Sequence, residues 1–95
     1  MFKIVFRVEA IRSLKKMKRF HAAAILGAIE GHLLEEPEKA SRTSIKRLRG
    51  RQETTFRLRV ADYRVFYDVI EDKVEIVQVL HKSETPSFYR KEKKK

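Results

Sequence analysis

Phe56-Arg57-Leu58-Arg59-Val60-Ala61-Asp62-Tyr63-Arg64-Val65-Phe66-Tyr67-Asp68-Val69-Ile70 decides how the chain folds. Apolar residues alternate at Phe56, Leu58 and Val60 and again at Tyr63, Val65, Tyr67 and Val69, the period of strands with one face on a core. The stretch reads as two strands. If Ala61-Asp62 forms a two-residue hairpin loop, Val60 lies opposite Tyr63, Arg59 opposite Arg64 and Arg57 opposite Phe66. Three arginines then share one sheet face. Like charges directly opposite each other cost a sheet roughly 0.2 to 1 kcal/mol, so Arg59 facing Arg64 is a local conflict without a folding benefit, and such conflicts point to function.

Working outward, Phe2, Ile4, Phe6 and Val8 alternate as an opening strand. A first helix starts near Glu9 and turns Ile11, Leu14 and Met17 to the core. The pattern slips at Lys18-Arg19-Phe20 and resumes through Ala22, Ile25, Ile29 and Leu33, so a helical hairpin and a kinked helix both fit. The second helix ends around Leu34, before Glu35-Glu36-Pro37. Residues 38–44 read as a surface loop, and Ile45 to Gly50 as a short ordered piece ending at a glycine turn. The last strand is Lys73 to His81, joined through Glu71-Asp72.

With two-residue turns throughout, one sheet face carries Phe56, Leu58, Val60, Tyr63, Val65, Tyr67, Val69, Val74, Ile76 and Leu80, apolar enough to lie under the helices. The other collects Thr55, Arg57, Arg59, Arg64, Phe66, Asp68, Glu75, Val77, Val79 and His81. Phe66, Val77 and Val79 should not sit bare in water, and Phe88-Tyr89 is the nearest segment to cover them. The expected fold is therefore α+β: a small single domain over residues 1–95 with an N-terminal strand, a helical hairpin and then an antiparallel sheet, the helices on one sheet face. Residues 82–95 form a tail, read as a short helix or a disordered end.

The 95 residues carry a formal net charge of +10 and a pI near 10.2. A positive field of that size attracts polyanions, nucleic acid or a nucleoprotein above all. No stretch approaches the roughly 18 apolar residues of a membrane span, and the expected location is cytoplasmic. With no cysteine and three scattered histidines, neither a disulfide framework nor a metal site is expected. Basic density peaks between Lys39 and Arg64, with nine cations (Lys39, Arg42, Lys46, Arg47, Arg49, Arg51, Arg57, Arg59, Arg64) against Glu53 and Asp62. A solvated charged face is the bland reading of that bias. Arginine favours the other, because its rigid fork of donors matches phosphate oxygens and stacks on bases. Arg64 leads the candidates, the alternative being an ion pair with Glu84 or Glu53. His81, expected on the basic face, either moves protons or serves structure. Tyr89 is either a buried anchor for the tail or a phenol held close to phosphate.

Lys46-Arg47-Leu48-Arg49-Gly50, Phe56-Arg57-Leu58-Arg59, Tyr63-Arg64-Val65-Phe66-Tyr67, Lys73-Val74, His81-Lys82 and Tyr89-Arg90, in this order of elements, resemble the RelE/ParE superfamily of type II toxin–antitoxin toxins, and most closely its RelE branch. The resemblance covers nearly the whole chain. It implies a ribosome-dependent endoribonuclease that cleaves messenger RNA and inhibits translation, needs no metal or organic cofactor, and is neutralised by a cognate antitoxin protein. Carried over by position, Arg64, Arg57, His81, Tyr89 and Lys82 are the implied catalytic residues, with Arg59, Lys46, Arg47, Arg49 and Arg51 holding RNA. Thr55 falls where the best-known members have a lysine, which leaves the general base open. A ParE-like DNA gyrase inhibitor on the same fold and a non-catalytic RNA- or ribosome-binding protein are the rival readings.

Overall fold

Five strands form one sheet in the order β1-β5-β4-β3-β2, seen in a computed structural model that describes residues 1–40, 44–48 and 54–86. The strands are β1 (Lys3–Phe6), β2 (Ile45–Arg47), β3 (Phe56–Val60), β4 (Tyr63–Ile70) and β5 (Lys73–His81). Two helices, α1 (Val8–Lys16) and α2 (Arg19–Leu33), lie between β1 and β2, and a 3₁₀ turn at Lys82–Glu84 follows β5. β1 runs parallel to β5 while the other neighbours are antiparallel, so the sheet is mixed rather than wholly antiparallel.

The opening strand is shorter than its alternation implies. It ends at Phe6, and Val8, expected in the strand, begins α1 and stays exposed. Between the helices Met17 and Lys18 are both extended, with ψ of 160° and 142°. Two consecutive extended residues break the helical hydrogen-bond ladder, so the pair is a hairpin and not one kinked helix. Ile45–Arg47, read only as an ordered piece, is the edge strand β2, because its backbone pairs with Leu58, Arg57 and Phe56.

α2 buries Ile25, Ile29 and Leu33, one residue per turn, against the sheet. They meet Ala10 of α1 and the sheet residues Ile45, Phe56, Leu58, Val65, Tyr67, Val74, Ile76 and Val79 in one core. Phe56 and Tyr67 stack across β3 and β4 at 5.4 Å. Fully burying a side chain of this size contributes about 1.5 to 3 kcal/mol, which is what holds the helical layer down. The buried Tyr67 hydroxyl donates to the Pro37 carbonyl at 2.6 Å and ties the end of the helical layer to the sheet. Burial, with a smaller contribution from Glu38, pushes this phenol well above its ordinary range.

Both two-residue turns exist, and each sets its first residue in the left-handed region, Ala61 at φ 51° and Glu71 at φ 56°. The β4–β5 pairing departs from simple alternation. Tyr67 faces Ile76 but Phe66 faces Gln78, so Val77 is an extra residue in β5. Beyond that bulge Val79, Leu80 and His81 change face. Val79 therefore lies opposite Val65 in the core, where Leu80 was expected, and Leu80 lies opposite Arg64 on the far face. His81 moves with them: it pairs with Tyr63 on the helix-covered face, not with the arginines.

Candidate nucleic-acid interface

The β3–β4 register is the one the alternation implies: Arg57 opposite Phe66, Arg59 opposite Arg64, Val60 opposite Tyr63. Arg57, Arg59 and Arg64 thus project from one face of adjoining strands, away from the helices. β2 adds Lys46, the partner of Arg57. Arg47, one residue on, points the other way and sets its guanidinium 5.2 Å from the Phe56 ring, so it leaves the group expected to hold RNA. Arg49, Arg51 and Tyr89 lie outside the described residues, as do Glu53 and the Phe88-Tyr89 segment expected to cover Phe66 and Val77. Both of those apolar side chains are buried on the arginine face. Val79, expected beside them, is in the core.

The three arginines are held differently. Arg64 is half-buried, and its Nη1 donates to the carbonyls of Ala61 at 3.0 Å and Tyr63 at 2.9 Å, which fastens it to the hairpin turn. Arg57 is half-buried with its Nε–H enclosed and without a hydrogen-bond partner among the described residues. An enclosed donor left unpaired is costly, and an acceptor brought by a ligand removes that cost. Arg59 is exposed, and its own backbone N–H donates to the Ser44 carbonyl at 2.7 Å. Neither Arg57 nor Arg59 makes an ion pair with a described residue. The acids of this face are occupied elsewhere: Asp68 accepts the Thr55 N–H at 2.6 Å, and Glu75 pairs with Arg7 at 3.3 Å. Glu84, a candidate partner for Arg64, instead accepts the His81 backbone N–H at 2.9 Å.

His81 caps the 3₁₀ turn. Its Nδ1 accepts from the Ser83 N–H at 3.2 Å and lies 2.9 Å from the Ser83 hydroxyl, while its ring meets the edge of Tyr63 at 5.4 Å. Accepting at Nδ1 places the neutral ring's proton on Nε2 and engages the Nδ1 lone pair with the Ser83 N–H, so the ring is spent on holding the turn. Lys82 sits at the rim of the arginine group, where its Nζ is 3.5 Å from Asp62 of the hairpin turn and its N–H donates to the Asp62 carbonyl. That exposed ion pair is weak and can exchange for a phosphate.

On the helix side of the same rim, sequence reasoning passed over a line of rings. Phe20, His21, Tyr63 and His81 follow one another at 5.5, 5.5 and 5.4 Å. Tyr63 and His81 line a cleft of about 290 Å³ with Ser13, Lys16, Met17, Val79 and Glu84. The bulge at Val77 brings His81 there, and strict alternation cannot reveal it. Among the described residues no three His, Cys, Asp or Glu side chains stand together as metal ligands, and no helix is long and apolar enough to cross a membrane.

Residues 4–86 match a family model described as the ParE toxin of the type II toxin–antitoxin system parDE. Among solved structures, a chain of the RelBE2 toxin–antitoxin complex from Mycobacterium tuberculosis is 30% identical, with a TM-score of 0.71, over 84% of this chain and 96% of that one. A chain of the RelB–RelE antitoxin–toxin complex from Methanococcus jannaschii superposes with a TM-score of 0.61 at 20% identity, covering 90% of this chain and 98% of that one. One from the archaeal RelE–RelB complex of Pyrococcus horikoshii does so at 0.61 and 17%, covering 84% and 93%. At such identities the last two speak for the fold alone. No curated protein matches the sequence.

Proposed function

Because the chain belongs to the RelE/ParE superfamily of type II toxin–antitoxin toxins and sits in its RelE-like branch, we propose that it is a ribosome-dependent endoribonuclease that cuts messenger RNA and is silenced by a cognate antitoxin. One observation carries this reading: Arg57, Arg59 and Arg64 converge on one face of adjoining strands, with Lys46 beside them. Cleavage of RNA by its own 2′-hydroxyl needs a proton removed from that hydroxyl, a proton given to the departing 5′-oxygen, and positive charge against the crowded phosphate. Arg64, fixed to the turn carbonyls, and Arg57, with its unpaired Nε–H, supply the charge from pre-set positions. Arg59 and Lys46 hold the flanking backbone. Arginine stays protonated at any working pH and does not exchange the protons. In this reading the phenolate form of Tyr89, from the C-terminal segment, takes the 2′-hydroxyl proton as the 2′-oxygen attacks phosphorus, Lys82 at the rim gives a proton to the departing 5′-oxygen, and His81 acts as a positioning residue that caps the turn carrying Lys82.

The antitoxin assignment draws on the complexes in which the RelB–RelE relatives were solved. Its expected attachment is an acidic segment over the arginine face. A second reading keeps its place because the matching family model is described as ParE: a gyrase poison on the same fold. Induced expression followed by mapping of messenger RNA 5′ ends separates the two. New 5′ ends in translated messages, absent with Arg64→Ala, support the nuclease; blocked DNA replication with intact messages supports the gyrase reading.

A further inference from the structure

Between Glu9 and Glu30 the helical hairpin contains no acidic residue and five cations, Arg12, Lys15, Lys16, Lys18 and Arg19. All five are exposed, and none makes an ion pair with a described residue. Arg12 stands three and four residues before Lys15 and Lys16, so the three crowd one side of α1. Lys15 and Lys16 at least complement the C-terminal end of α1. Lys18 and Arg19 open α2 with no acidic residue in its first turn and no side-chain cap, where positive charge opposes the helix dipole. The fold gains nothing from that placement.

Beside these cations Phe20 leaves 78% of its surface in water and begins the line of rings that runs through His21 and Tyr63 to His81. Lys16 lines the cleft that Tyr63 and His81 wall. Cations along a groove interleaved with ring faces are the pattern of single-stranded nucleic-acid binding. Tyr63 and Arg64 are consecutive in β4 and point to opposite faces, so the cleft and the arginine group meet at the hairpin end of the sheet.

We infer that the hairpin corner formed by Arg12, Lys15, Lys16, Lys18, Arg19 and Phe20 is a second RNA-binding surface, which grips phosphates and stacks a base on the far side of the rim from Arg57, Arg59 and Arg64. The inference rests on the reading of the protein as RNA-directed, and it extends the strand's path over the sheet end. An RNA held on both sides of the rim is oriented across it, whereas the arginine face alone gives phosphates no fixed direction.

The test uses the full chain and a 2′-O-methyl RNA oligonucleotide of about 12 nucleotides, which cannot be cleaved and matches the usual site size. Lys15→Gln, Lys16→Gln, Lys18→Gln and Arg19→Gln combined should lower the slope of log affinity against log salt by about 2 to 3, near 0.7 for each phosphate no longer neutralised. The same fall is expected on top of Arg57→Gln, Arg59→Gln and Arg64→Gln. Phe20→Ala, a change at an exposed side chain, should weaken binding about tenfold without altering the slope. An unchanged slope in the four-fold variant overturns the inference. So does a variant that keeps RNA affinity and loses affinity for the co-encoded protein, since the corner would then dock an acidic partner. Cleavage plays no part in this readout, so a parent chain that cuts no messenger RNA defeats the nuclease reading and leaves the corner's binding to stand or fall separately.

Discussion

Arg59 of β3 lies directly opposite Arg64 of β4, two like charges on one sheet face beside a two-residue turn. The closed hairpin cannot separate them, and the Ala61 and Tyr63 carbonyls engage only Arg64. Replacing Arg59 by threonine, a good strand former, should raise stability by about 0.2 to 1 kcal/mol. The same change should reduce the salt dependence of RNA binding by about 0.7. Urea melts and binding titrations at several salt concentrations check the two halves. A destabilised variant would mean that the pair is not a strain on the fold.

Arg64→Ala should cost far more activity than stability. If Arg64 stabilises charge in the transition state, the loss is on the order of 2.7 to 4 kcal/mol, or about 10² to 10³ in cleavage rate. Stability should fall by only about 1 kcal/mol, from the hydrogen bonds to the turn carbonyls. Single-turnover cleavage on programmed ribosomes, set beside a thermal melt, measures both. Cleavage at the parental rate removes Arg64 from the site.

His81→Asn retains a side-chain acceptor for the Ser83 N–H, whereas His81→Ala loses the cap at a cost of about 1 kcal/mol. If His81 positions rather than transfers protons, His81→Asn should cleave at nearly the parental rate with an unchanged pH profile. A rate loss of about a hundredfold with a vanished pH limb would return proton transfer to the imidazole.

Tyr67 makes stability fall at high pH. Its folded phenol loses its proton only well above the ordinary value near 10, while the unfolded phenol titrates there. The folded state therefore binds more protons above pH 10, and this group's contribution, complete below that point, declines by about 1.4 kcal/mol per pH unit as pH rises further. Tyr67→Phe should abolish that slope. It should also cost about 1 to 3 kcal/mol at neutral pH, because the Pro37 carbonyl loses its donor. Denaturant melts between pH 8 and 11, a range chosen about the phenol value, decide it; an undiminished alkaline slope in the variant would place its origin elsewhere.

Glu71 holds a left-handed φ of 56° in the β4–β5 turn, at the far end of β4 from Arg64. Glycine adopts that conformation without a Cβ clash, so Glu71→Gly should stabilise by about 1 kcal/mol, worth about 4 to 8 °C in Tm for a domain of this size. RNA cleavage should not change. A lower Tm would show that the turn carries no strain.

The amino-acid sequence by itself determined two helical segments, the β3–β4 hairpin and the shared face of Arg57, Arg59 and Arg64, because local alternation and a two-residue turn leave one register open, whereas the extended Met17 and Lys18 of the tertiary structure made the helices a hairpin. It also carried the positive charge and the order of elements by which the family is recognised. The tertiary structure decided where β5 points after Ile76: one extra residue, Val77, reverses a period of two, which moves His81 from the arginines to the ring of Tyr63 and exchanges Val79 with Leu80 in the core. It likewise decided that Arg47 leaves the arginine face, since the edge pairing of β2 fixes the direction of each of its side chains. A bulge and an edge register arise from pairing between strands, and no run of residues read along one strand contains them.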